Sequence, residues 1–259
     1  MSVKSASRPV EPTLRGITAA LRAMARPVGS FDAARYFRGD HDLRFYNVGT
    51  DRMRALAKSI VDANRESWSI ADAMTLAEVL MRDPYLEAKS VGIEVVARFR
   101  RQFTPRLLPL WKRWLAEDLS ANWATTDAIC GALTGPLLAA HAELLPGMRA
   151  WARHRSLWVR RASIVSLIVP MRRGLALDLA YENARTLHSD PADLIQKAVG
   201  WVLREAGKQD AARLDAYLRS NGPSIPRTTV RYAIERFPSE TRRELLAVTR
   251  RPARELAGS

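Results

Sequence analysis

Three short segments hold residue types whose spacing could do chemistry. In Asn122-Trp123-Ala124-Thr125-Thr126-Asp127-Ala128-Ile129-Cys130, Trp123 and Asp127 are four residues apart and so share one face of a helix. Asp127 leads into Ala128 through Ala140, a stretch with no charge. A carboxylate there has two readings. It caps a neighbouring helix or pairs with an arginine, or it is held beside an aromatic wall, where it stabilises developing positive charge. The second segment, Leu157-Trp158-Val159-Arg160-Arg161-Ala162, opens a helix that turns strongly apolar at Ile164 to Val169. One of its two arginines must lie near the core side, facing a ligand or an acidic partner, unless both belong to a solvated first turn. In the third, Lys197, Trp201, Arg204 and Lys208 fall at i, i+4, i+7 and i+11, one basic stripe with a tryptophan in it. Such a stripe suits nucleic acid, because cations neutralise phosphates and an aromatic ring packs on sugar or base. Trp201 also fits a core position, with Gly200 beside it allowing close helix packing.

The composition points the same way. The 259 residues hold 41 lysines and arginines against 27 aspartates and glutamates, a formal charge of +14. An excess of that size implies a polyanionic partner. Six of the basic residues are lysines and 35 are arginines, and the planar guanidinium fork matches phosphate oxygens. A GC-rich genome accounts for part of the arginine preference but not for the net charge. Cys130 is the single cysteine, so no disulfide forms within the chain; it reads as a small core residue, and a reducing cytosol fits. With His41, His141, His154 and His188 scattered, neither a metal site nor a cofactor is expected. No apolar run approaches the roughly 20 residues that span a bilayer.

These residues must be carried by helices. Strand signals are almost absent, and apolar residues recur at helical spacing in segments of about 10–18 residues. Helix starts are marked at Thr50-Asp51, Ser69 to Asp72, Asp83-Pro84 and Asp190-Pro191, and breaks at Gly39, Pro105, Pro146-Gly147, Pro170, Gly174 and Asn221-Gly222-Pro223. About fourteen helices follow from this pattern. The blocks Lys89-Ser90-Val91-Gly92-Ile93, Arg161-Ala162-Ser163-Ile164-Val165 and Lys197-Ala198-Val199-Gly200-Trp201 match at offsets of 72 and 36 residues, with Thr125 in the missing phase. A period of 36 predicts an all-α fold, an α-solenoid of helix pairs with a concave basic face on which Lys89, Arg161 and Lys197 share a direction. Chance matching among helices is the competing reading. Residues 1–10 are expected to be a disordered tail, 11–250 the repeat domain and 251–259 a second tail.

At the three segments the sequence resembles the DNA alkylation repair glycosylases with HEAT-like repeats, the AlkD family. Ile195 to Glu205 looks nearly identical to a family signature. Trp123 with Asp127, and Trp158 followed by Arg161, match two others in the right order. Ala34-Arg35-Tyr36-Phe37 through Gly49-Thr50-Asp51-Arg52 is similar to the family's N-terminal region. The departures are Ala124, where the family often carries an acid, and divergent N-terminal helices. The resemblance implies a monofunctional glycosylase acting on 3-methyl- and 7-methylpurines or bulkier cationic adducts in duplex DNA, without base flipping. It implies catalytic roles for Asp127, Trp123 and Trp201, and DNA contacts from Arg161, Lys197, Arg204, Arg160, Gln196, Lys89 and Tyr36. A monomer, cytoplasmic with the nucleoid and without metal or membrane, is expected. A non-catalytic nucleic-acid-binding repeat module or a scaffold for an acidic protein shares the charge and fold but needs no Asp127.

Overall fold

The computed structural model describes residues 12–27, 37 and 43–250. The expected tails, and Tyr36, lie outside the described residues. The chain is about 72% helical. Among the described residues there is no strand, only an isolated parallel bridge between Arg44 and Tyr85. Fifteen α-helices run in order among the described residues: α1 Leu14–Met24, α2 Thr50–Ala63, α3 Ile70–Leu80, α4 Leu86–Ala97, α5 Leu108–Ala116, α6 Trp123–Ile129, α7 Gly135–Ala140, α8 Met148–Trp151, α9 Leu157–Val165, α10 Ile168–Met171, α11 Leu177–Leu187, α12 Asp193–Gly207, α13 Ala211–Asn221, α14 Arg227–Ala233 and α15 Ser239–Val248. No single helix among them is long and apolar enough to cross a membrane.

The repeat is real and its period is close to the one read from the sequence. Helices α2, α4, α6, α9, α12 and α14 begin at Thr50, Leu86, Trp123, Leu157, Asp193 and Arg227, at intervals of 36, 37, 34, 36 and 34 residues. Side-chain contacts follow the same interval. Trp114 Nε1 donates to Glu78 at 2.5 Å, Asn183 donates to the carbonyl of Met148 at 3.1 Å, and Arg172 pairs with Glu205 at 3.0 Å. These links span 36, 35 and 33 residues, one repeat each.

Two compact units divide the chain, Met1–Leu133 and Thr134–Ser259. In the first, α3 and α2 pack on α4, and α4 packs on α6. Trp111 and Trp114 are fully buried, and each such ring removes on the order of 200 Å² from water. In the second, α9 and α14 pack on α12 and α8 packs on α11. Its core is built from Leu137, Val159, Ile164, Leu179, Ile195, Val199, Val202 and Leu218.

Helix entry follows local chemistry. Ser69 caps α3 in a reciprocal box, accepting from the Ala71 amide while Asp72 accepts from the Ser69 amide at 2.8 Å. The aspartates of the two Asp-Pro pairs lie two residues before the N-cap positions, Tyr85 and Ala192. Asp83 and Asp190 accept the amide two residues on, from Tyr85 at 2.8 Å and Ala192 at 3.0 Å, and α4 and α12 start only at Leu86 and Asp193. Each pair makes an aspartate turn that aims the chain into the helix.

Candidate functional site

In the first unit the site is built on α6, whose entry is fixed by a buried polar network. Asp118 and Ala121 hold left-handed backbone, with φ of 62° and 58°, a conformation that costs non-glycine residues about 1 kcal/mol or more. Directly after them, Asn122 is 1% exposed. Its side-chain oxygen accepts the Thr125 amide at 2.8 Å, and its Nδ2 donates to the Ser120 carbonyl and to Thr125 Oγ1, both at 2.9 Å. Thr126 Oγ1 donates to the Asn122 carbonyl at 2.9 Å. Trp123 is therefore the first residue of a helix whose start is specified by an N-cap. Along α6, Thr125, Thr126, Ile129 and Cys130 are buried, while Trp123, Ala124, Asp127 and Ala128 are half-buried. Trp123 and Asp127 thus share the half-open face, as their spacing requires.

Trp123 is backed by aromatic rings that the spacing arguments did not single out. Phe37 stacks on it with centroids 5.3 Å apart, and Phe45 lies 5.3 Å from Phe37. Phe45 sits in a segment pinned on α4. Arg44 bridges to Tyr85, and Tyr46 stacks on Tyr85 at 3.9 Å. The buried Glu87 carboxylate accepts the amides of Tyr46 at 3.1 Å and Val48 at 3.2 Å. Burial pushes the Glu87 pKa up, and the amides pull against that shift. The signal in the sequence was the pair of aromatic doublets, Tyr36-Phe37 and Phe45-Tyr46. Nothing local links them to Trp123, because the contact is long-range.

In the second unit, the outward stripe of α12 comprises the exposed Asp193 and Lys208 and the half-buried Lys197, Trp201 and Arg204, with Ile195, Val199, Val202 and Ala206 buried behind it. The Trp201–Gly200 pair divides its two readings. Trp201 is half-exposed, whereas Gly200 is the packing residue: a Cβ there would lie 2.6 Å from the Thr229 carbonyl and 2.5 Å from Tyr232 Cβ on α14. Each cation of the stripe has a carboxylate. Lys197 pairs with Asp193 at 2.6 Å, Arg204 with Glu235, and Lys208 with Glu205 at 2.5 Å. The hydrogen bond to Asp193 raises the Lys197 pKa, and the charge of Arg161 works against it, so these two cations are close enough to feel one another.

The arginines of α9 tie repeats together. Arg161 is 5% exposed and donates through Nη1 to the carbonyl of Leu194, in the first turn of α12. Arg160 places Nε on Asp190 at 2.6 Å and Nη1 on the carbonyls of His154 and Arg155 at 3.0 and 2.8 Å. The Gln196 side chain donates to the Asp190 carbonyl at 3.2 Å, and the Gln196 backbone carbonyl accepts from Thr229 Oγ1 at 2.9 Å.

Lys89 corrects the expectation of a surface cation. It is 5% exposed, and its ammonium donates to the carbonyls of Met81 at 2.5 Å and Leu119 at 2.8 Å. The reason is its place on α4, which is covered by α2, α3 and α6. Burial lowers its pKa. Lys89 and Arg161, two periods apart, each bridge to a carbonyl near the start of the next repeat's helix. What the matching blocks record is therefore a repeat-to-repeat link as much as a binding residue. No cluster of three metal-ligating side chains occurs among the described residues.

No curated protein matches the chain. Among solved structures, a predicted DNA alkylation repair enzyme from Enterococcus faecalis superposes with a TM-score of 0.71 at 17% identity, covering 83% of this chain and 98% of that one. AlkD2 from Streptococcus mutans gives 0.56 at 15% identity, covering 82% and 100%. The smu.31 protein of Streptococcus mutans UA159 gives 0.52 at 15% identity, covering 77% and 90%. At these identities the likeness is one of fold. The sequence model of the DNA alkylation repair enzyme family matches residues 17–237, and the chain belongs to that family.

Proposed function

We propose that the protein is a monofunctional DNA glycosylase for cationic N3- or N7-alkylated purines in duplex DNA. The observation that carries this reading is the pairing of Asp127 with a ring-backed Trp123 on the half-open face of a helix with a locked entry. Alkylation at N3 or N7 gives the base a positive charge. When the glycosidic bond breaks, its electron pair leaves with the base and neutralises it, so a strong general acid is not required. The sugar passes through an oxocarbenium-like state. Asp127 stabilises that charge and orients the water that adds to C1′, taking up the proton that the water releases. Trp123 packs on the deoxyribose, and its π face favours the cationic sugar and base.

On α12, Trp201 contacts the sugar-phosphate chain, and Lys197 and Arg204 exchange their carboxylate partners for phosphates, with the positive charge of Arg161 close by. Arg160, Gln196 and Lys89 serve by holding repeats in register. The reaction forms no Schiff base and does not require the base to leave the stack. A duplex substrate would place the protein, as a monomer, with the nucleoid in the cytoplasm. Incubation with duplex DNA carrying one 7-methylguanine, scored for free base, tests the reading. Salt-dependent binding without release from 7-methylguanine, 3-methyladenine or a bulkier cationic adduct would leave a non-catalytic DNA-binding module instead.

A further inference from the structure

Unit 2 carries a second concentration of positive charge, on residues outside α12. Helix α8, the turn that follows it and α11 border an open cleft of about 400 Å³ lined by Arg149, Arg153, Glu182, Asn183, Arg185 and Thr186. Three guanidinium groups meet a single carboxylate there. On the α12 stripe each cation meets a carboxylate, with Glu205 shared between Lys208 and Arg172.

The cleft has a fixed floor. Asn183 is 1% exposed and donates to the carbonyls of Met148 at 3.1 Å and Ser163 at 2.9 Å. Its walls are oriented. Arg149 Nε is held by Glu182 at 2.7 Å, Arg153 Nη1 donates to the Arg149 carbonyl at 3.2 Å, and the Arg185 guanidinium lies 5.8 Å from the centre of the Tyr217 ring. Each guanidinium offers five N–H donors, and these contacts engage only a few of them. The positive field reaches the interior: burial, helped by the Arg185 charge, lowers the His188 pKa, and burial raises the Tyr217 pKa against the pull of the same charge.

We propose that the Arg149–Arg153–Arg185 cleft binds an oxyanion of the phosphate class, supplied by a nucleic-acid backbone. A phosphodiester presents two anionic oxygens to forked donors. It would be a contact additional to the α12 stripe, made by helices that carry none of the residues assigned to base release. The chain's family supplies the ligand, since a DNA repair enzyme works against a dense array of phosphates. The alternative source of the same chemistry is free phosphate.

The test uses the full chain, with circular dichroism as the folding control. Arg153→Gln/Arg185→Gln removes two donors, and Glu182→Gln removes the single carboxylate. Affinity for undamaged duplex is measured by fluorescence anisotropy across a range of salt. The double variant should show a log–log salt slope shallower by about 1 for each phosphate that it no longer neutralises. Glu182→Gln should bind more tightly than the parent. A parent-like slope in the double variant, with no gain in Glu182→Gln, overturns the site. A second arm follows thermal stabilisation by inorganic phosphate against chloride at matched ionic strength. If the double variant loses that stabilisation but keeps the parent's DNA slope, the cleft takes free phosphate and the nucleic-acid assignment is wrong. Base release at saturating protein reads the glycosylase proposal separately, so the two failures are distinguishable.

Discussion

Phe37 lies flat against Trp123, with ring centroids 5.3 Å apart and planes 20° from parallel. One face of the indole is thus occupied before any DNA arrives, and its tilt is set by Phe37 and by Phe45 behind it. A ring held in this way can meet a sugar without first losing rotamer freedom. Phe37→Leu keeps an apolar filler and removes the stack, which is worth about 0.5–1.5 kcal/mol. Single-turnover base release should slow by about two- to tenfold, with the salt dependence of binding unchanged. Release at the parent rate would mean that the stack does not position Trp123.

Lys89 is expected to matter for stability and not for DNA. Lys89→Met keeps the apolar stem and leaves the carbonyls of Met81 and Leu119 without their donor. Loss of a buried charged donor costs about 1–3 kcal/mol, which urea unfolding would read. The salt slope for duplex binding should match the parent's. A slope shallower by about 1 at unchanged stability would place Lys89 on a phosphate after all.

His188 makes the second unit sensitive to acid. It is buried between α11 and α13, 2.9 Å from the Tyr217 hydroxyl, and burial with help from Arg185 holds its pKa down from 6.5 to about 4. The folded state therefore refuses a proton that the unfolded chain accepts. Its contribution is complete above pH 6.5 and is lost as the pH falls from 6.5 toward 4. From about pH 7 to about pH 5 the loss should be about 2 kcal/mol. His188→Gln cannot take up that proton. Unfolding free energies of parent and variant at the two pH values check this: the parent should fall more steeply, and parallel declines would contradict it.

Much of this arrangement was legible in the sequence because it is local. The spacing of Trp123 and Asp127, the stripe from Lys197 to Lys208, the Ser69 capping box and the period near 36 all follow from helix geometry. What was not legible depends on tertiary contacts. The resemblance implied phosphate contacts for Lys89 and Arg161, but burial is set by the neighbouring helices, and both side chains also reach backbone carbonyls. The Trp201–Gly200 pair was ambiguous until α14 was seen to close on Gly200 and leave the indole half-open. Phe37 and Phe45 lie about 80 residues before Trp123, beyond the reach of any periodic argument. The cleft of α8 and α11 arises from two helices 29 residues apart at their starts, and neither looks basic alone.

The charge of Asp127 is the centre of the account, and Asp127→Asn isolates it. The variant keeps the size of the side chain and changes the charge. Single-turnover excision of 7-methylguanine from duplex DNA by parent and variant, with circular dichroism and duplex affinity as controls, is the measurement. The account predicts a loss on the order of a hundredfold or more in the chemical step, about 2.7 kcal/mol or more of transition-state stabilisation, with folding and DNA affinity nearly intact. Release of base by Asp127→Asn as fast as by the parent would contradict it.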